Sequence, residues 1–126
     1  MRILVVDDTE VNIKLMEAVL KPAGYDVITA SLGAESVQTA AEEDIDLILM
    51  DIGLPDINGS EAMKKIRQTG YGNKPIIAVT AHAMQGDREK FREEGFDGYI
   101  SKPINITQTL QVVEAMLRDF KSETAP

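Results

Sequence analysis

The sequence contains no cysteine. Disulfides and thiolate metal sites are therefore excluded. It has one histidine, His82, which cannot supply a zinc cage or a Ser-His-Asp relay with any redundancy. Cationic residues are scarce: 13 Lys and Arg stand against 21 Asp and Glu, a net charge of −8. That balance repels a polyanion, so direct nucleic-acid binding is not expected. Long apolar runs are missing as well. Every run is short, interrupted by charge, and far below a membrane span. Met1-Arg2 leads directly into Ile3-Leu4-Val5-Val6 and then two aspartates, too short for a signal-peptide core and without a cleavage site. The expected location is the cytoplasm.

The chain is 126 residues long and 44% hydrophobic, enough for one packed domain. Short β-branched or apolar runs alternate with stretches of helical period. Ile3 to Val6 reads as a buried strand. Val11, Leu15, Met16, Val19 and Leu20 mark a helix begun near Thr9 and stopped by Lys21-Pro22-Ala23-Gly24. Val27 to Thr29 is a second strand, followed by a helix near 33–43. Leu47 to Met50 is the third and most hydrophobic strand. Asn58 with Glu61 three residues on predicts a capped helix ending at Gly70. Pro75 to Val79 is the fourth strand, and a charged helix follows from about Gln85 to Glu94. Gly98 to Ile100 is a short fifth strand. Asn105 with Gln108 opens the last helix, whose expected core stripe is Ile106, Leu110, Val113 and Leu117. The pattern predicts one α/β domain over residues 1–120, a parallel sheet with helices on both faces, and a flexible tail over 121–126.

In such a sheet, functional residues gather beyond the carboxyl ends of the strands. Those positions hold Asp7 and Asp8 after strand one, Asp51 after strand three, Thr80 after strand four, and Ser101, Lys102 and Pro103 after strand five. Three carboxylates close together call for a counter-charge. A hard divalent cation such as Mg²⁺ meets that need with oxygen ligands. Lys102 and Thr80 suit a phosphoryl oxyanion. A carboxylate can also act as a nucleophile and form an aspartyl-phosphate.

Asp7-Asp8, then Leu49-Met50-Asp51-Ile-Gly-Leu-Pro55-Asp-Ile-Asn-Gly59, then Val79-Thr80-Ala81, then Ser101-Lys102-Pro103 resemble the motif set of response-regulator receiver domains. The match spans Arg2 to about Phe120, and it is most similar to stand-alone regulators of the DivK type. The resemblance implies a (βα)5, flavodoxin-like fold with strand order 2-1-3-4-5. It implies that Asp51 accepts a phosphoryl group from the phosphohistidine of a histidine kinase or phosphotransferase. Asp7, Asp8, Asp51 and the Gly53 carbonyl would hold Mg²⁺, for which Mn²⁺ could substitute. Lys102 would contact the phosphoryl group, with its bond to Pro103 cis. Thr80 and Tyr99 would switch the surface of helix four, strand five and helix five toward a downstream protein. The resemblance leaves the form as a monomer or a phosphorylation-dependent dimer. Gly53 and His82 occupy the two positions that tune acyl-phosphate lifetime in this family.

Plainer readings stand beside these. Asp56 reads as a loop charge rather than a second acceptor. His82 reads as an exposed loop residue, and Met63, Met84 and Met116 as core or interface filler. Asp87, Arg88, Glu89, Lys90, Arg92, Glu93 and Glu94 read as a solvated helix face with i,i+4 pairs. An aspartyl-phosphate phosphatase would place Asp-x-Asp after strand one, whereas Asp8 is followed at that spacing by Glu10. The stretch from Val79 to Asp87 also resembles receivers attached to hybrid kinases, while the opening Met1 favours a stand-alone chain.

Overall fold

The computed structural model describes residues 1–81 and 87–124, with side-chain surroundings up to Asp119. Among the described residues, five strands alternate with five helices. They are β1 (Arg2–Val6), α1 (Glu10–Leu20), β2 (Asp26–Ala30), α2 (Gly33–Glu42), β3 (Leu47–Asp51), α3 (Gly59–Arg67), β4 (Ile76–Thr80), α4 (Asp87–Glu94), β5 (Gly98–Ser101) and α5 (Ile106–Thr124). All pairings are parallel, and the strand order is β2-β1-β3-β4-β5. The expected start of the fourth helix at Gln85 lies outside the described residues, as do His82 and Met84. The expected tail coincides with the last turn of α5 and with residues 125–126, which are also outside them.

The strand sequences are near-continuously apolar because both faces of the sheet are covered. Alternate residues then divide between two cores. Leu4, Val6, Ile48, Met50, Ile76 and Ala78 face α2, α3 and α4, where Ala40, Ala62, Met63, Ile66 and Phe91 meet them. Ile3, Val5, Leu47, Leu49, Ile77, Val79 and Ile100 face α1 and α5, against Met16, Val19, Leu20, Val113 and Leu117. Each fully buried Leu or Ile contributes about 1.5–3 kcal/mol. β3 and β4 are each buried at all five positions, so Asp51 and Thr80 at their ends are held by fully packed strands.

Two apolar positions depart from the expected stripes. Val11 is 72% exposed. At 100° per residue it lies about 140° around the helix from the buried Met16. Ile106 opens α5 and is 57% exposed; the stripe comprises Leu110, Val113 and Leu117, with Thr109 buried beside them.

The helix ends follow local chemistry. The Asn58 side chain accepts a hydrogen bond from Glu61 N at 2.8 Å, and Asn105 does the same for Gln108 N at 2.9 Å. Gly24 and Gly95 have φ of 97° and 123°, the left-handed conformation that closes α1 and α4. Arg67, at the end of α3, donates to the carbonyls of Gly72, Lys74 and Gly95 and to the Asp97 carboxylate. Asp97 also accepts from Ile76 N at 2.9 Å, so one side chain ties α3 to the start of β4 and to the turn before β5.

Candidate phosphoryl-acceptor site

The carboxyl ends of β1, β3, β4 and β5 form one rim. Val6 and Met50 pair in register, so Asp7 and Asp51 leave adjacent strands side by side. Asp7, Asp8 and Asp51 each offer a carboxylate oxygen within 4.8 Å of the others. Asp7 and Asp51 are buried, and Asp8 is exposed at the mouth. Lys102 reaches across from beyond β5. Its Nζ stands 3.3 Å from Asp7 Oδ2 and 3.3 Å from Asp51 Oδ2.

The Asp7 and Asp51 side chains are each held by a backbone N–H two residues ahead. Thr9 N donates to Asp7 Oδ1 at 2.8 Å, and Gly53 N donates to Asp51 Oδ1 at 3.1 Å. Lys102 N donates to the Thr80 carbonyl at 2.8 Å, which ties the ends of β4 and β5 together. The Lys102–Pro103 peptide is cis. Asp8, Asp51, Gly53, Thr80 and Lys102, with Ile52 and Ala81, line a single cleft of about 220 Å³.

The electrostatics favour a cation. Burial raises the Asp51 pKa above its ordinary value, and the negative charge of Asp7 raises it further. The Gly53 N–H and Lys102 oppose that shift without cancelling it. One ammonium against three carboxylates leaves the rim net negative. Hard oxygen donors around a negative cleft are the set Mg²⁺ takes, so the residues present fit such an ion.

The response regulator receiver domain family matches residues 3–114. The chain belongs to that family. Among curated relatives, the polar-differentiation response regulator DivK of Brucella ovis is 39% identical over 118 residues, covering 93% of this chain and 96% of the relative. The CheY-like receiver protein of Methanospirillum hungatei is 30% identical with a TM-score of 0.88, covering 97% of each chain. The receiver domain of a Pseudomonas aeruginosa sensor histidine kinase is 37% identical with a TM-score of 0.83, covering 92% of this chain and 96% of that one. That structure holds a magnesium ion coordinated in its active-site cleft.

In this receiver domain, the residues singled out from the sequence divide into two groups. Asp7, Asp8, Asp51, Gly53, Thr80 and Lys102 come together at the rim. Tyr99 stands elsewhere. Its ring centroid is 6.4 Å from that of Phe91, the Arg88 guanidinium lies 5.2 Å over its face, and it lines a separate cavity of about 190 Å³ with Phe96 and Val112. His82 lies outside the described residues. Glu94, read as part of a solvated face, accepts a hydrogen bond from Ser60 Oγ at 2.7 Å and joins α4 to α3.

Asp56 does more than the sequence indicated. Its carboxylate accepts from Gly33 N at 2.8 Å and Ala34 N at 2.9 Å, the first two residues of α2. These bonds lower its pKa to about 2. A separation of 23 residues gives no local signal for this pairing.

Proposed function

We propose that this receiver domain accepts a phosphoryl group on the Asp51 carboxylate from the phosphohistidine of a histidine kinase or histidine phosphotransferase. An oxygen of Asp51 attacks phosphorus, the P–N bond to imidazole breaks, and the released imidazole nitrogen takes up a proton. Asp7, Asp8, Asp51 and the Gly53 carbonyl hold Mg²⁺, and Mn²⁺ meets the same oxygen donors. The bound cation supplies neutralisation of the charge between an anionic nucleophile and an anionic donor. Lys102 pairs with a phosphoryl oxygen, for which its present contacts to Asp7 and Asp51 keep it in reach. The Thr80 hydroxyl donates to another. Tyr99 and the surface of α4, β5 and α5 carry the signal to a downstream protein, as a monomer or as a phosphorylation-dependent dimer.

The observation that carries this reading is the placement of Lys102 Nζ 3.3 Å from both Asp7 and Asp51, with three carboxylates converging below it. The domain is proposed to act as a switch, its only chemistry being its own phosphorylation and hydrolysis. Gly53 is proposed as one residue that controls that hydrolysis, because it lines the cleft beside Asp51 without presenting a side chain there. His82 is proposed as the second such residue. A cytoplasmic location is part of the proposal; among the described residues, no helix is long and apolar enough to cross a membrane.

Incubation with acetyl phosphate and Mg²⁺ should add one phosphate to the protein by mass spectrometry. Asp51→Ala should add none; equal uptake by that variant rejects the assignment. Identity to a sensor-kinase receiver favours a second context, attachment to a hybrid kinase. A phosphotransfer profile against the kinases of the source cell separates the two, since an attached receiver is phosphorylated fastest by its own kinase.

A further inference from the structure

The loop between β3 and α3 is fastened at three places. At its base, Gly59 N donates to the Ile52 carbonyl at 2.9 Å. Gly59 lies so close to β3 that a Cβ would stand 2.4 Å from the Asp51 carbonyl oxygen. In its middle, Leu54 is buried, and Ile57 packs on the core directly over Gly33, where a Cβ would meet it at 2.4 Å. At its outer turn, both oxygens of Asp56 accept the N–H groups that open α2.

That third fastening joins two segments that need each other. Leu32 precedes α2, and its side chain makes no cap. The first N–H groups of a helix require acceptors and carry partial positive charge. Asp56 supplies a full negative charge to both. Gly53 has the opposite situation. It is exposed, carries no side chain, and nothing among the described residues stands within 4 Å of where a Cβ would be. Its position is therefore set through the chain, by Gly53 N on Asp51 Oδ1 from one side and by the anchors from Leu54 to Ile57 on the other.

We propose that Asp56 is a positioning residue for the divalent-cation site: by binding the loop to the N-terminus of α2, it holds the Gly53 carbonyl in the geometry the ion requires. This rests on the reading of Gly53 given under Proposed function. Mg²⁺ demands near-ideal octahedral geometry, so a small drift of one oxygen ligand weakens binding. Groups that orient metal ligands have measurable effects on affinity for the same reason.

The test titrates the full chain with MgCl₂ by calorimetry, for wild type, Asp56→Ala and Asp56→Asn. Asp56→Ala should weaken Mg²⁺ by roughly tenfold, and Asp56→Asn, with one acceptor oxygen, should fall between. Phosphorylation by acetyl phosphate should return to the wild-type rate when Mg²⁺ is raised to saturation, because the nucleophile is untouched. Tyr71→Phe, which removes a bond to the Pro75 carbonyl at the far end of β4, controls for lost stability and should leave Mg²⁺ affinity unchanged. Mg²⁺ affinity of Asp56→Ala within about twofold of wild type, even with a lower melting point, overturns the proposal and leaves Asp56 as a helix cap only. If Asp56→Ala does not fold, Asp56→Asn decides by the same criterion. A wild type that binds no Mg²⁺ removes the proposed metal site together with this inference, which separates that failure from failure of Asp56 alone.

Discussion

Asp51 is held in an environment that disfavours its own charge. Burial and the Asp7 carboxylate raise its pKa, and Lys102 at 3.3 Å only partly compensates. The consequence for stability has a definite sign. The folded pKa lies above the unfolded value, so ionised Asp51 costs stability at every pH above the raised value, and the cost disappears as pH falls below the ordinary 3.8. Asp51→Asn should therefore melt a few degrees higher than wild type at pH 7 in a chelator. The gap should close in melts taken at successively lower pH toward that ordinary value. A variant that melts lower at pH 7 would show that the Lys102 pair outweighs burial.

At the scale of the element, helix starts are anchored either by a local cap or by a residue distant in the chain. α3 begins with Asn58, whose side chain accepts from Glu61 N. Its replacement by Ala should cost about 1 kcal/mol, or roughly 4 °C in a thermal melt of a domain this size. An unchanged melting point would mean that water caps the helix equally well. α5 begins the same way at Asn105. Both caps were legible in the sequence because cap and target lie three residues apart. α2 has no such local signal, because its cap is Asp56, which the chain reaches only after β3. The Arg67 ties to Gly72, Lys74, Gly95 and Asp97 were equally silent, since nothing in the local pattern around Arg67 points 30 residues ahead. Burial in α1 and α5 shows the limit of periodicity from the other side. Val11 and Ile106 are apolar and helical, yet they are exposed, because the stripe that packs is set by where the sheet lies.

At the scale of the whole molecule, an ion bound at the proposed site would be linked to folding. Three carboxylates from two strands repel one another in the folded state and are dispersed in the unfolded chain. An ion that binds only the folded form stabilises it by about 2.7 kcal/mol at a concentration of 100 times its Kd. Saturating MgCl₂ should therefore raise the melting point by roughly 10 °C over a NaCl control of equal ionic strength. Removal of the ion by a chelator should reverse the shift, and Asp8→Ala should abolish most of it. An equal rise with NaCl would assign the effect to screening of the −8 net charge rather than to a site.

Local pattern along the chain suffices for the fold class and the rim. Near-continuous apolar strands alternating with helical periods specify a parallel sheet covered on both faces, and the polar residues that end each strand must then share one edge. Asp7, Asp8, Asp51, Thr80 and Lys102 were legible for that reason. The tertiary structure alone decided the pairings across long separations: Lys102 between Asp7 and Asp51, Asp56 on the N-terminus of α2, and Tyr99 among Phe91, Arg88 and Phe96 rather than at the cleft. A sequence pattern reports which face a side chain takes along its own element. The distance and direction between side chains on different elements follow from how those elements pack, and that is where the charge balance of Asp51 and the anchoring of its loop are set.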